Sequence, residues 1–381
     1  MKKFLLAFLA AGMLAGALHG LDSQEGIIRI GVLENARSFN LGCEGGLVLV
    51  ELNSGRTLKL DARTVYMVAA SAKGVSVAGK ILKPPLRMTS SDKGKYIRIN
   101  GKRYRDAFLI KKSSKGGIHV INELGLDGYV FGILPQEVGR TWPLEALKAQ
   151  AVASRSFALH NLHRHDAEGF HLCATVHCQV YGGLDGEKEQ TSRAVDQTHN
   201  EILLYKGEPA NTFFFSNCGG KTEDPRNAWE NSSAPPYLRA VRCKYCRQGG
   251  HYEWERSVSE DDLLQALIKN HYPAVPPIRV IRVASIDSSG RAKLMIVRHA
   301  GGEFKIRSGK FRMMLGPDVV RSTFFSNIKR TRDGFTLQGK GWGHGVGMCQ
   351  EGARGYALKG AGYRKILQFY YFGTKLKKFK D

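Results

Sequence analysis

Glu137 is the residue whose sequence surroundings best suit a general acid. It follows the apolar run Ile133-Leu134-Pro135 and precedes Val138. Apolar surroundings raise the pKa of a carboxyl group, and a general acid must be protonated near its working pH. A solvated loop carboxylate is the alternative that this spacing also allows.

Arg155 occupies an unusual place for a charged residue. It falls within the apolar stripe formed by Leu144, Leu147, Ala151 and Ala158. Because an unpaired buried charge is costly, Arg155 must either find an anion or extend its guanidinium to solvent. A carboxylate of the same chain or of a ligand would satisfy it.

Seven cysteines offer thiols for metal binding or disulfide formation, and the odd number leaves at least one free, metal-bound or intermolecular. Cys173, His177 and Cys178, with His171 just before them, bring thiolate and imidazole groups together, as a tetrahedral zinc site requires. A disulfide between Cys173 and Cys178 is the alternative.

A second group consists of Cys243 and Cys246, separated by two residues and followed by His251. This spacing is typical of a zinc knuckle, but a disulfide competes with it in an oxidising compartment. Spacing alone does not give the connectivity. The same holds for the remaining cysteines, which are Cys43, Cys218 and Cys349.

Glycine alternates with other residues along segment 339–348. In a strand, this period of two places Trp342, His344, Val346 and Met348 on one face and bare glycine on the other. Glycine in a strand marks the close approach of a ligand or of another backbone. The segment therefore predicts either a carbohydrate groove, with Trp342 stacking and His344 as a polar contact, or a tightly packed internal strand.

The composition is that of a globular protein with an unusual charge. Of 381 residues, 43% are hydrophobic and 24% are charged, which excludes wholesale disorder. Lys and Arg number 57 against 34 Asp and Glu, for a formal net charge of +23. This charge favours an anionic partner such as nucleic acid, acidic lipid or an anionic wall polymer.

The first twenty residues predict export. Lys2 and Lys3 precede an apolar run at 4–18, and Ala15-Gly16-Ala17 offers a cleavage site, which is the pattern of a secretory signal peptide. An uncleaved N-terminal anchor is the alternative, and no later stretch is apolar enough to span a membrane. We therefore expect the periplasm or cell envelope, where chromosomal DNA is a poor partner.

Residue periodicity predicts an α+β fold with an excess of β structure. A prominent helix, with Thr141 as N-cap and Pro143 in its first turn, extends to about Arg164 and follows a loop that carries Glu137. Shorter helices are predicted at 260–269, 350–359 and 363–372. Strands are predicted at 27–32, 46–52, 96–99, 202–205, 212–215, 279–283 and 292–297.

Several motifs, in this order, resemble the sporulation stage II protein D (SpoIID/LytB) family of exported wall-remodelling proteins. The matching segments are 122–124, 126–129, 132–137, 142–156, 179–183, 216–220 and 341–348. The resemblance spans roughly residues 98–375. We therefore expect four segments of chain: a signal peptide at 1–20, a small N-terminal β region at 21–97, a SpoIID-like catalytic domain at 98–375 and a basic tail at 376–381.

The resemblance implies a lytic transglycosylase that acts on peptidoglycan, preferably on glycan strands stripped of stem peptides. The family's single catalytic glutamate matches Glu137. Protonated, it would donate to the oxygen between N-acetylmuramic acid and N-acetylglucosamine, and then accept the proton of the muramoyl C6 hydroxyl as that oxygen attacks C1. The product is a 1,6-anhydro sugar, and since no water attacks, no second carboxylate is needed.

Motif positions also imply the residues around this glutamate. Arg155 would orient Glu137 or bind a saccharide carboxylate. The remaining substrate-binding candidates are Gln179, Tyr181, Lys221 and His344.

Some relatives bind zinc beside the active site, which implies Cys173, His177 and Cys178 as ligands, with His171 or Cys218 completing the set. Many relatives have serine or another residue at two positions of this sequence, Cys218 and Cys349.

Other functions remain open at this point. Some family members enhance a separate N-acetylmuramoyl-L-alanine amidase without catalysis, so the expected partners are glycan strands and an amidase or other wall enzymes. A hydrolase would need a second carboxylate, for which Asp185, Glu223 and Asp224 are available, the last two in what we expect to be an exposed turn. A nucleic-acid binder is prompted only by the charge, without a groove-reading motif.

Overall fold

The computed structural model describes residues 26–139, 141–229 and 232–379. The predicted signal peptide and the last two residues of the predicted tail lie outside these ranges. Within them, the chain forms eight α-helices: α1 (Leu126–Glu137), α2 (Leu144–His160), α3 (Glu189–Asp196), α4 (Pro225–Ala228), α5 (Glu260–Lys269), α6 (Ser308–Leu315), α7 (Gln350–Leu358) and α8 (Tyr363–Tyr370). None of these eight helices is both long and apolar enough to cross a membrane.

The β-strands of the same ranges are β1 (Ile27–Ala36), β2 (Ser38–Cys43), β3 (Leu47–Glu51), β4 (Thr57–Leu60), β5 (Val65–Ser71), β6 (Gly74–Val77), β7 (Lys80–Leu82), β8 (Leu86–Ser90), β9 (Ile97–Ile99), β10 (Lys102–Tyr104), β11 (Ala107–Lys112), β12 (Ile118–Gly125), β13 (Leu172–Cys173), β14 (Glu201–Tyr205), β15 (Glu208–Pro209), β16 (Phe214–Phe215), β17 (Glu253–Ser259), β18 (Ile278–Ile286), β19 (Ala292–His299), β20 (Gly302–Arg307), β21 (Phe325–Arg330), β22 (Gly334–Lys340), β23 (Met348–Cys349) and β24 (Lys375–Lys378).

The predicted α+β class and N-terminal β region are confirmed. A seven-stranded sheet has the order β13-β1-β12-β11-β8-β3-β4, and a six-stranded sheet has the order β10-β9-β2-β5-β6-β7. In β2, Phe39 and Leu41 are buried while Ser38 and Asn40 are exposed, so alternation of apolar and polar residues fixes which face meets the core.

One apolar core joins the N-terminal strands to the helices that follow. It contains Leu41 of β2, Val130 of α1 and Leu147 of α2. The predicted boundary between residues 97 and 98 lies inside β9, which pairs with β2. The division of the chain into an N-terminal region and a catalytic domain stays a prediction.

Helix α2 is the prominent helix that the sequence predicts, within narrower bounds. Its N-cap is Pro143 rather than Thr141, because a residue before proline is held out of the helical region and the helix cannot begin earlier. It ends at His160 instead of extending to Arg164. Small side chains let α2 lie at the centre of the molecule, with almost every residue from Ala146 to Leu159 buried.

The segment before α2, predicted as a loop, is helix α1, and Glu137 is its last residue. The sequence hides this helix because Gly128, Gly132 and Pro135 are poor helix formers. Packing requires the glycine at 132, since a Cβ there would lie 2.4 Å from the ring of Tyr181. Tertiary contacts therefore stabilise a helix that local propensity does not predict.

The glycine-rich segment is a loop and not the predicted strand. Strand β22 ends at Lys340, and β23 begins only at Met348. At Gly347 a Cβ would lie 2.0 Å from the carbonyl oxygen of Phe213, so the chain leaves room for glycine alone. The alternation in the sequence reflects backbone with positive φ angles at every second residue, which are Gly341, Gly343, Gly345 and Gly347.

Residues 253–340 carry a core of their own. Two three-stranded antiparallel sheets, β17-β22-β21 and β18-β19-β20, pack with α5 and α6 around Leu263, Leu267 and Phe311. The predicted helix at 260–269 is confirmed as α5, whose first turn is capped by the Ser259 hydroxyl accepting from the Asp262 N–H.

Candidate active site

A cleft of about 590 Å³ opens beside the end of α1. Glu137 contributes to its wall together with residues of the 176–180 segment, strand β16 and the loop after β22. Flat aromatic side chains form much of the remaining surface, and these are Phe157, Phe213, Phe214, Phe215, Trp229 and Trp342. Such rings offer large apolar faces, so the cleft suits a ligand with flat apolar faces and polar edges.

Glu137 has the environment that the sequence predicts for a general acid. Burial raises the pKa of its carboxyl group from the ordinary 4.5 to about 7, although the backbone N–H of Val180 donates to it and opposes the rise. Its position at the C-terminal end of α1 also disfavours a negative charge. Among the residues that the structure describes, Glu137 is the only carboxylate that lines the cleft.

Four potential metal ligands meet at one edge of the same cleft. They are His165, Cys173, His177 and Cys178, whose ligand atoms all lie within 4.8 Å of one another. Cys173 Sγ is 3.7 Å from His177 Nδ1, and Cys178 Sγ is 3.5 Å from His165 Nε2. Two thiols and two imidazoles form a donor set that tetrahedral zinc prefers, and His177 and Cys178 also line the cleft.

The fourth member of this group differs from the sequence-based candidates. His171 Nδ1 accepts a hydrogen bond from the backbone N–H of Arg29, and Cys218 lies in a separate group of cysteines. His165, which follows α2, takes the fourth position and stacks on Phe170. Sequence reasoning missed His165 because it lies eight residues before Cys173, outside the short window that the spacing suggested.

His344 lines the cleft but already uses both of its ring nitrogens. The N–H of Val346 donates to Nδ1, and Nε2 lies 3.1 Å from the carbonyl oxygen of Phe214, to which it donates. Burial lowers the pKa of His344 to about 4, so the ring is neutral at physiological pH. It also packs 5.0 Å from the ring of Trp229. His344 therefore holds the wall of the cleft together.

Comparison with known proteins identifies the family. The protein-family model described as Stage II sporulation protein matches residues 114–205. These residues include Glu137 and all four members of the cysteine–histidine group. An uncharacterized protein of Brachyspira hyodysenteriae is 38% identical over 258 residues, which are 68% of each chain. The chain belongs to the SpoIID/LytB family.

Named relatives of this SpoIID/LytB protein occur in Bacillus. The amidase enhancer of Bacillus subtilis is 30% identical over 289 residues, which cover 64% of this chain but only 40% of that relative's length. Stage II sporulation protein D of Bacillus amyloliquefaciens is 28% identical over 278 residues, covering 68% of this chain and 76% of the relative. A second model, for a domain of unknown function, matches residues 244–347.

Arg155 of this SpoIID/LytB protein does not reach the cleft. Its side chain is fully buried, with 0% exposed, and its Nε lies 2.6 Å from Asp127 Oδ1. Its Nη1 donates to the carbonyl oxygen of Glu201 at 2.9 Å. Asp127 meets the expectation that Arg155 needs an anion, and Arg155 is not among the described residues that line the cleft with Glu137. Its role in binding a saccharide stays a prediction.

Gln179 and Tyr181 are likewise buried beneath the site. The hydroxyl of Tyr129 donates to Gln179 Oε1 at 3.2 Å, and the hydroxyl of Tyr181 donates to Asn122 Oδ1 at 2.9 Å. Neither side chain is among the described residues that line the cleft. They anchor the segment whose Val180 N–H reaches Glu137.

Lys221 also lies away from the cleft, since its ammonium group donates to the carbonyl oxygen of Ser288. The second predicted metal group changes as well. His251 makes an edge contact with the ring of Trp342 at 4.5 Å, and the partners of Cys243 and Cys246 are other cysteines.

The three carboxylates that a hydrolase could have used are not among the described residues that line the cleft of this SpoIID/LytB protein. Asp185 is paired with Arg103, and Asp224 caps α4 by accepting from the N–H of Arg226. Glu223 is not in an exposed turn as predicted: only 2% of it is exposed. Glycines 219 and 220 predicted a surface turn, but the turn folds inward against the loop after β22.

Glu223 faces a second, smaller cavity of about 160 Å³. His344 and Gly343 line both this cavity and the cleft, so Glu223 lies behind the wall that His344 forms. Burial and a hydrogen bond with Asp287 raise the pKa of Glu223 to about 7, while the Ser289 hydroxyl donates to its Oε2 at 2.7 Å. This carboxyl is thus fully engaged with neighbouring residues.

Proposed function

We propose that this SpoIID/LytB protein is an exported lytic transglycosylase that cleaves peptidoglycan glycan strands between N-acetylmuramic acid and N-acetylglucosamine. Membership of the family, and relatives named for sporulation and for amidase enhancement, support a function at the cell wall. The observation that carries the proposal is the raised pKa of the Glu137 carboxyl group, which is the only carboxyl group among the described residues that line the aromatic cleft.

The chemistry needs one group that donates a proton and then takes one back. Glu137, protonated because its pKa is about 7, donates to the glycosidic oxygen as the bond to C1 breaks. The resulting carboxylate then accepts the proton of the C6 hydroxyl while that oxygen bonds to C1, which leaves a 1,6-anhydro muramoyl end. The atoms balance without water, so the absence of a second carboxylate among the described residues of the cleft is consistent with this reaction.

Binding of the strand follows from the surface around Glu137. The aromatic walls provide stacking faces for pyranose rings, and the buried amide of Gln350 is a polar group in the lining of the cleft. The preference for strands without stem peptides is carried over from the family resemblance. The net charge of +23 would attract the protein to an anionic wall.

Zinc held by His165, Cys173, His177 and Cys178 belongs to this proposal. Four protein ligands close the coordination sphere, so the ion would be structural and would fix the chain just before Val180. Elemental analysis of protein purified without chelator should give one zinc less per chain in Cys178→Ser than in the wild type. A disulfide between Cys173 and Cys178 in peptide maps would contradict this assignment.

The decisive experiment examines the ends of the products. Digestion of peptide-free glycan should give fragments that lack one water relative to reducing-end products and that borohydride leaves unreduced. Glu137→Gln is the matched control, since it keeps the size and shape of the side chain but cannot donate a proton. Reducing termini as the main product would make the protein a hydrolase and overturn the proposal.

Enhancement of an amidase is the second candidate function, favoured by the relative named amidase enhancer. It predicts that the purified protein releases no sugar but increases the release of stem peptides by an added N-acetylmuramoyl-L-alanine amidase. Glu137→Gln separates the two functions, because enhancement that persists in this variant cannot depend on the acid.

A further inference from the structure

Four cysteines from three distant segments meet inside the protein. Cys218 follows β16, Cys243 and Cys246 lie in the irregular segment before β17, and Cys349 ends β23. Their sulfur atoms all lie within 4.8 Å of one another, and Cys218 Sγ is 3.4 Å from Cys246 Sγ. Each residue is at most 2% exposed.

We propose that these four cysteines bind a structural zinc ion, distinct from the cysteine–histidine group beside Glu137. Tetrahedral zinc with sulfur at 2.3 Å places its ligands about 3.8 Å apart, a separation that the observed group accommodates. Two of the ligands come from a Cys-x-x-Cys pair, the spacing that lets one short turn supply two sulfurs. Four thiolates in this arrangement select zinc or iron, and we assign zinc.

The surroundings of the sulfurs suit thiolates. The backbone N–H groups of Cys218 and Gly352 both donate to Cys349 Sγ at 3.2 Å. The hydroxyl of Tyr370 lies 3.1 Å from Cys243 Sγ and can donate to it. Hydrogen-bond donors directed at ligand sulfur are the outer contacts that hold metal-binding side chains in place.

A buried positive charge lies next to the group. The guanidinium of Arg291, 1% exposed, donates through Nη2 to the carbonyl oxygen of Cys218 at 2.8 Å. Zinc with four thiolates carries a net charge of about −2, which a nearby guanidinium would partly neutralise. If the four cysteines were neutral thiols, the carboxyl groups of Glu223 and Asp287 would be the remaining acidic partners of Arg291 among the described residues.

The position of the group gives it a role in the fold. Cys218 lies two residues after Ser216, and Cys349 lies next to Gln350, and both of these neighbours line the cleft. The ion would connect three segments of chain: the one after β16 that carries Cys218, strand β23 with Cys349, and the segment 243–246. Metal content at this site is independent of the chemistry of Glu137, so its test can fail without affecting the proposed function.

The test compares the zinc content of two cysteine variants. Protein purified without chelator should contain one zinc fewer per chain when Cys246→Ser is introduced, whatever the cysteine–histidine group holds. Cys43→Ser is the matched control: Cys43 is also buried, but it lies in β2 and contacts the Ser90 hydroxyl. An equal zinc content in Cys246→Ser and the wild type, or iron in place of zinc, would overturn the proposal.

A second measurement on the wild type covers the case in which Cys246→Ser does not fold. The protein is unfolded with a chelator present but without reductant, alkylated, and mapped by mass. Alkylation of all four cysteines, together with the release of two zinc ions per chain, supports the site, because the cysteine–histidine group accounts for only one of the two ions. A disulfide that joins any two of the four cysteines rules it out.

Discussion

Arg155 of α2 and Asp127 of α1 form an ion pair inside the protein, with Arg155 Nε 2.6 Å from Asp127 Oδ1. Asp127 is the second residue of α1, and Glu137 is its last residue, about 15 Å away along the helix. The pair therefore sets the position of the helix that carries Glu137. Arg155 acts on the site by positioning and not by contact.

Loss of this pair should destabilise the whole protein. Arg155→Met removes the buried partner of the Asp127 carboxylate, which keeps its contact with the exposed His199 ring. We expect the free energy of unfolding to fall by about 3 kcal/mol in urea titrations, the lower end for breaking a buried pair. Arg226→Met is the control, because the Arg226–Asp224 pair has an arginine side chain that is 71% exposed, and such pairs contribute about 1 kcal/mol or less. Unchanged stability with a raised KM would instead indicate that Arg155 binds substrate.

The contrast between Arg155 and α1 shows what the sequence can and cannot give. A charge within an apolar stripe requires a counter-ion, and this follows from local pattern alone. The identity of the counter-ion does not follow from the local pattern, because Asp127 lies 28 residues away in sequence and contacts Arg155 only through helix packing. The bounds predicted for α5 agree with the structure, because its N-cap Ser259 and its buried residues Leu263 and Leu267 are local features of the sequence.

Tertiary contacts decided the elements that the sequence misplaced. Helix α1 contains two glycines and a proline, which local propensity reads as a loop, yet its packing against Tyr181 demands a residue without a side chain. The aromatic cleft and His165 combine residues that are far apart in the chain. Their assembly follows from topology, which periodicity does not contain.

Replacement of the Glu137 carboxyl by an amide should slow the reaction strongly. A positioned general acid contributes about 10²–10⁴-fold to the rate. Glu137→Gln should therefore lower kcat on peptide-free glycan by at least about 10²-fold. Glu223→Gln is the matched control, because Glu223 is also a buried carboxyl with a pKa near 7 but lies behind His344 in the smaller cavity. A larger loss of kcat in Glu223→Gln than in Glu137→Gln would exchange the two roles.

Activity should fall as pH rises through the pKa of Glu137. Burial raises this pKa from 4.5 to about 7, and only the protonated carboxyl donates to the glycosidic oxygen. We expect kcat/KM to be level under acidic conditions and to decrease about tenfold per pH unit above neutrality. A profile of kcat/KM that rises through neutrality would show that the carboxylate is required at the start of the reaction.

Stability should have the same sign of pH dependence. Because the pKa of Glu137 is higher in the folded than in the unfolded state, its contribution to stability is complete below about 4.5 and is lost as pH rises to about 7. The loss is at most about 3 kcal/mol. Glu137→Gln should remove this pH-dependent contribution, because glutamine does not titrate. In urea unfolding, the stability of the variant relative to the wild type should therefore increase from acidic to alkaline pH.

The loop after β22 should tolerate no side chain at Gly347. Alanine there must adopt a φ near +80°, and its Cβ would lie 2.0 Å from the carbonyl oxygen of Phe213. Gly360, which follows α7, has a φ of +81° but open space around the position of a Cβ, so Gly360→Ala isolates the backbone strain at about 1–2 kcal/mol. We expect Gly347→Ala to lose clearly more stability than this in urea unfolding, because backbone must move.

The same substitution should lower activity, because Phe213, whose carbonyl oxygen the new Cβ would approach, and His344 of the same loop both line the cleft. Gly360→Ala should keep kcat close to the wild-type value, since its position lies on the far end of α7. Equal losses of stability in the two variants would mean that the loop yields to the extra methyl group and that strain alone makes glycine necessary. In that case the alternating glycines would serve to turn the chain, and the close approach to Phe213 would not be required for a formed cleft.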